Sequence, residues 1–178
     1  MAVTSTFSNG GFESSVVPAT GYAVGVGADS VGKWAFTQGA GVYKTGNQFD
    51  GANLAPQAGS NAGFIFESND PTYAEQSITQ GFNVSVAGTA TLTFYSAQTN
   101  TSTSAFTLMV NLRGANNTIN QDFSIVPTTS YVQSTMVFGN LPVGTYVLTF
   151  SPYEPPQGGT TQIGYVTGLV YIDTVVLT

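Results

Sequence analysis

The sequence has 178 residues, a formal net charge of −6, neither histidine nor cysteine, and only 7% charged residues. Ordinary globular chains carry about 25%, yet no run here approaches the ~18 consecutive apolar residues of a membrane-spanning helix, and the 12% aromatic content argues against disorder. Lys33, Lys44 and Arg113 are the only cations, so nucleic acid and anionic membranes are unsuitable partners, and a neutral, hydroxyl-rich ligand or a protein surface suits the chain better.

Asn9-Gly10-Gly11-Phe12-Glu13 opens the chain with a sharp turn, because two adjacent glycines free the backbone. Phe12 is a core anchor, and Glu13 beside it needs a partner. The far end supplies one: Asp173 is the single charge in the apolar run Tyr171–Leu177. The two ends are expected to lie side by side and share an ion or hydrogen-bond site. Met1–Thr4 leads directly into the domain without an apolar leader segment.

The rest of the chain is punctuated by 21 Gly and 8 Pro, with short Val-, Thr-, Phe- and Tyr-rich runs between them. This predicts an all-β antiparallel β-sandwich, a single domain over 1–178. Ser5–Phe7 and Phe12-Glu13 read as short opening strands, and Gly21–Gly32 as a long loop. Lys33–Phe36, Gly41–Lys44 and Ala62–Phe66 follow as strands, with loop between Asp50 and Asn61.

The middle alternates clearly. Phe82, Val84, Leu92, Phe94, Phe106, Leu108 and Val110 point inward at every second position, against polar residues on the other face. Tyr131–Phe138 and Gly144–Phe150 continue the pattern, and Leu169–Leu177 closes the sheet. Phe64, Trp34, Tyr146, Leu148, Phe150 and Ile172 join Phe12 in the expected core. The run Gly88–Phe94 echoes Gly144–Phe150, as two equivalent strands of a sandwich would.

No Ser–His or Cys–His arrangement can be built from this chain. Asp50, Glu67, Asp70, Glu75, Asp122 and Glu154 fall in or near predicted loops without a motif, so they read as capping and solvating groups. No enzyme activity is expected. Sugar recognition needs aromatic faces and planar polar groups. Tyr95, Asn111 and Arg113 lie on the polar faces of their strands, and would form one patch if those strands shared a sheet. Tyr73 and Tyr153, in loops, are further ligand candidates.

In order, Asn9–Glu13, Lys33-Trp34, the two Gly-Thr-x-x-Leu-x-Phe runs and Ile172–Leu177 resemble the galactose-binding-like β-sandwich superfamily, nearest to non-catalytic carbohydrate-binding modules of the family 4/22 type. The resemblance spans nearly the whole chain and implies a jelly-roll sandwich. It also implies a structural calcium joining the first and last strands, with Glu13 and Asp173 as ligands and backbone carbonyls near Gly11 and Lys33 as helpers. The expected function is glycan recognition or adhesion on an extracellular or virion surface. The alternative is a phage structural protein of the decoration, head-fibre or tail-fibre type, whose sandwich serves assembly on a larger particle or a homo-oligomer.

Overall fold

The computed structural model describes residues 2–15, 17, 22–24, 27–28, 33–37, 39–44, 54–67, 76–99, 107–115, 119–152 and 168–178. Thirteen strands run β1 (Thr4–Ser5), β2 (Tyr22–Val24), β3 (Gly27–Ala28), β4 (Ala35–Phe36), β5 (Ala40–Lys44), β6 (Asn61–Glu67), β7 (Ile78–Val86), β8 (Gly88–Gln98), β9 (Leu108–Gly114), β10 (Asn120–Ile125), β11 (Val132–Leu141), β12 (Gly144–Pro152) and β13 (Gly168–Leu177). They form two antiparallel sheets. One has seven strands in the order β10-β9-β12-β7-β4-β3, with β1 also on β7; the other has six, in the order β11-β8-β13-β6-β5-β2. From β7 onward the chain passes back and forth between the sheets, which is the jelly-roll sandwich expected from the sequence.

Period-two patterning fixes the inner faces. Leu92 and Phe94 of β8 meet Leu148 and Phe150 of β12 in one core cluster with Leu108, Val110, Leu112 and Ile172. The echoed runs thus occupy opposite sheets. Their last aromatics, Phe94 and Phe150, touch edge to face at 5.1 Å, a favoured geometry for ring quadrupoles. Phe12, Trp34, Phe64, Phe82, Val84 and Tyr146 are also buried. Phe106 lies outside the described residues.

Three expectations are corrected. Phe12-Glu13 is not a strand: Asn9 and Phe12 have φ of 54° and 57°, a left-handed conformation incompatible with extended pairing. Within the span read as loop, β2 pairs with β5 and β3 with β4; such short edge strands are held by their neighbours rather than by intrinsic preference. The Trp34 segment pairs only at Ala35 and Phe36, because Lys33 just before it has φ of 64°.

Candidate functional site

Two places gather unusual side chains. The first joins the ends of the chain. The turn at Asn9–Glu13 is tied by Phe12 N–H to the Asn9 carbonyl (3.0 Å) and by Ser14 N–H to the Asn9 side chain (2.9 Å). It docks on β13 where that strand bulges between Asp173 and Val176, with Thr174 at φ 50°. Val175 N–H donates to the Gly10 carbonyl at 2.9 Å, and Trp34 Nε1 donates to the Asn9 carbonyl at 2.8 Å.

Glu13 and Asp173 then hold a shared segment from opposite ends of the sequence. Glu13 Oε1 accepts from Ser60 N–H (2.8 Å) and Asn61 N–H (3.0 Å). Asp173 Oδ2 accepts from Ala58 N–H (3.0 Å), and Oδ1 from Thr174 N–H (2.6 Å). Asp173 is fully buried. Burial pushes its carboxyl up to about 6; backbone N–H bonds from Ala58, Thr174 and Gln57 pull the other way, and the Glu13 charge adds to the rise. Desolvation therefore wins over hydrogen bonding.

Calcium, the ion expected at this corner, takes six to eight oxygen ligands. Two carboxylates converge, and Thr174 Oγ1 is buried with no hydrogen-bond partner. Three of the four carboxylate oxygens already take N–H donors, and Glu13 Oε1 takes two, which fills both of its lone-pair sites. The carboxylates of Glu13 and Asp173 are donors of the kind a hard cation takes, and the backbone at Gly11 lies beside Asp173. The Lys33 side chain itself is exposed and, as a cation, has no part in such a site.

The second place is the outer face of the six-stranded sheet. Tyr43, Phe64, Ala97, Leu169 and Tyr171 form a separate apolar layer there, flanked by Leu54, Phe66 and Tyr131. Tyr43 and Tyr171 rings stand 5.1 Å apart. The Tyr43 hydroxyl donates to the Leu54 carbonyl (2.7 Å) and lies 3.0 Å from the Tyr131 hydroxyl. Burial holds both phenols well above their ordinary pKa, so they act as neutral hydrogen-bonding groups. Tyr95 stands on this face, paired in register with Gln133 on one side and Asp173 on the other. It is half-buried, while Gln133 is exposed.

Asn111 and Arg113 lie elsewhere. Both are on the outward side of β9, in the seven-stranded sheet. Asn111 Nδ2 donates to Asn120 Oδ1 (2.8 Å) and Asp122 Oδ1 (2.6 Å), so its amide is engaged within the sheet. Arg113 is exposed, opposite Asn120 and Val147. The single patch of Tyr95, Asn111 and Arg113 expected from the sequence is therefore corrected: the sandwich separates Tyr95 from the other two. Period two tells outward from inward, but not which sheet a strand joins. Tyr73 and Tyr153 lie outside the described residues.

The layer around Tyr43 was missed by sequence reasoning. Its signal was present in β6 and β13, whose residues are buried on both faces and whose runs Ala62–Phe66 and Leu169–Ile172 are continuously apolar. Runs without alternation mark a strand covered on both sides.

No family model and no curated protein matches the sequence. Solved structures do match. A family 61 carbohydrate-binding module, solved with β-1,4-galactotriose, aligns over 98% of both chains at 13% identity and a TM-score of 0.60. A family 4 module aligns over 97% of this chain and 99% of its own, at 12% identity and a TM-score of 0.55. The Stig cyclase Fisc from Fischerella sp. TAU aligns over 99% and 97%, at 15% identity and a TM-score of 0.56. The enzymatically active domain of phage CBA120 tailspike protein 4 matches over 97% of this chain, which spans 21% of that longer one, at 13% identity and a TM-score of 0.51. At these identities the chain shares their fold, a sandwich used among these matches by two carbohydrate-binding modules, a cyclase and a tailspike domain.

Proposed function

We propose that the chain is a non-catalytic glycan-recognition module for an extracellular or virion surface, with the outer face of the six-stranded sheet as its platform. The observation that carries this reading is the open side of that face, where half-buried Tyr95 and exposed Gln133 stand beside an aromatic layer that is itself buried. Aromatic rings stack on the apolar faces of sugars, and neutral amides and phenols bond their hydroxyls. The low charge of the chain suits a neutral polysaccharide. The complete absence of histidine from the sequence supports binding rather than acid–base chemistry.

The test is a glycan array followed by titration calorimetry on the best ligand. Tyr95→Ala is expected to weaken binding by about 1–3 kcal/mol as a central contact, and Arg113→Ala, on the opposite sheet, to leave it unchanged. An unchanged Tyr95→Ala affinity with the fold intact moves the site to the segments of Tyr73 or Tyr153. A loss confined to Arg113→Ala moves it to the seven-stranded sheet. A blank array overturns the reading and favours the second one, a virion structural domain; a phage tailspike carries the same fold, in its enzymatically active domain.

We further propose a structural calcium at Glu13 and Asp173. An ion held only by the folded chain stabilises it by mass action, about 2.7 kcal/mol when free calcium is a hundredfold above the dissociation constant. The melting midpoint is expected to rise with calcium and fall with chelator, and Glu13→Gln to abolish that difference. An identical midpoint in calcium and in excess chelator, with no metal by elemental analysis, removes the site and leaves both carboxylates as acceptors for backbone N–H groups alone.

A further inference from the structure

We propose that two copies of this chain associate through the free edge of β11, joining their six-stranded sheets into one continuous sheet. Among the described strands, β11 ends the six-stranded sheet and pairs only with β8. Its ten residues contain no proline and no charge. An edge strand of this kind presents unpaired N–H and C=O groups to any extended chain, and proteins that stay monomeric commonly guard it with lysine, proline or shortness. The other edges are guarded. Strand β10 carries Asp122, and β1, β2 and β3 have two or three residues each.

Charge and apolar exposure both favour a second copy as the occupant. In a chain of net charge −6, like copies repel, and contact is favoured where the charges are missing. No Asp, Glu, Lys or Arg occurs from Phe123 through Tyr153, and none from Gln76 through Leu112. Strands β8, β11 and β12 are therefore wholly uncharged. The same region holds four of the seven exposed large hydrophobic residues: Val126 (55% exposed), Val132 (49%), Val137 (59%) and Val143 (64%). Each lies on β11 or in a segment adjoining it.

The register follows from a bulge. Regular pairing in β11 breaks between Phe138 and Asn140, around Gly139, where an added Cβ would meet nothing within 4 Å. The regular run is thus Val132–Phe138, centred on Thr135. Antiparallel pairing of that run with its own copy is isologous and closes as a twofold dimer. Thr135 then faces the partner copy's Thr135, and Gln133 faces the partner copy's Val137. These residues belong to the outward row of the sheet, since Gln133, Thr135 and Val137 pair with Tyr95, Thr93 and Thr91.

Sedimentation velocity over a wide concentration series is expected to show a reversible monomer–dimer equilibrium. Thr135→Lys, which sets two like charges opposite each other, is expected to weaken association at least tenfold while leaving the melting curve unchanged. Val147→Lys, at another exposed position but on the other sheet, is expected to leave association unchanged. The chain has no cysteine, so Thr135→Cys adds a single thiol, which is expected to give a covalent dimer on mild oxidation because directly opposed Cα atoms fall within disulfide reach. A monomer at every concentration overturns the proposal. So does association that Val147→Lys weakens as much as Thr135→Lys, or association in which Thr135→Cys fails to cross-link. None of these outcomes depends on glycan binding, so the two readings fail separately.

Discussion

Gly10→Ala is expected to be among the most damaging single substitutions in the chain, costing at least about 3 kcal/mol and shifting the denaturation midpoint accordingly. A Cβ at residue 10 would lie 1.6 Å from the Val175 carbonyl oxygen and 2.6 Å from its carbon. Those atoms are backbone, so no rotamer change relieves the overlap; the turn must lift from β13. Lifting it breaks the Val175 N–H bond to the Gly10 carbonyl and pulls Phe12 from the core beside it. Ordinary overpacking costs about 1–3 kcal/mol when neighbours can shift, and here they cannot. Gly139→Ala is the control: its site is open and exposed, and the change is expected to be nearly neutral. Equal effects of the two substitutions in urea denaturation would show that the Gly10 turn is not held against β13.

Trp34→Ala is expected to cost about 3–5 kcal/mol, the usual range for deleting a large buried aromatic. Trp34 is fully buried. It stacks on Phe12 at 4.9 Å, meets Phe7 edge-on at 5.8 Å and lies 6.3 Å from Phe150. These contacts link the opening turn to both β4 and β12. Trp34→Phe is expected to be milder. It retains a ring against Phe12, and the Asn9 carbonyl that loses the indole N–H still accepts from Phe12 N–H. Circular dichroism in urea checks both variants. In the wild type the single tryptophan reports directly: its emission should be blue-shifted when folded and move red on unfolding. A cost under 1 kcal/mol for Trp34→Ala would mean that the cavity collapses or that the ring is not packed as described.

Much of the sandwich was legible because alternation is a local property. Leu92 and Phe94, Leu108 and Val110, and Tyr146, Leu148 and Phe150 declare their inward faces within a few residues of chain, and all are buried. The meeting of Glu13 with the last strand was legible for a different reason: a lone carboxylate beside Phe12 needs a partner, and Asp173 is the single charge in an apolar run at the other end. Which sheet a strand joins was not legible. Tyr95 and Arg113 both read as outward-facing, yet strand order separates them, and order is set by pairings between residues far apart in sequence. The left-handed backbone at Asn9, Phe12, Lys33 and Thr174 was equally hidden. Non-glycine residues adopt it only when surrounding contacts impose it, and those contacts come from the assembled corner. The aromatic layer around Tyr43 was missed because a doubly buried strand lacks the alternation that separates two faces.

Strand β13 lies in the interior of the six-stranded sheet, between β8 and β6. Before Gly168–Leu177 is in place, β11-β8 and β6-β5-β2 are two fragments with no shared boundary. The opening turn at Gly10 likewise has nothing to dock on. Local helices can form while a chain is still being made, but this sheet waits for a segment translated long after its neighbours. Such non-local closure is slow, on the order of milliseconds to seconds for all-β domains. On the ribosome, residues 1–167 must stay soluble as an unfinished sheet with two facing open edges. The low charge of the segments that wait, β8 and β11 among them, makes that interval the period of greatest exposure to misassembly.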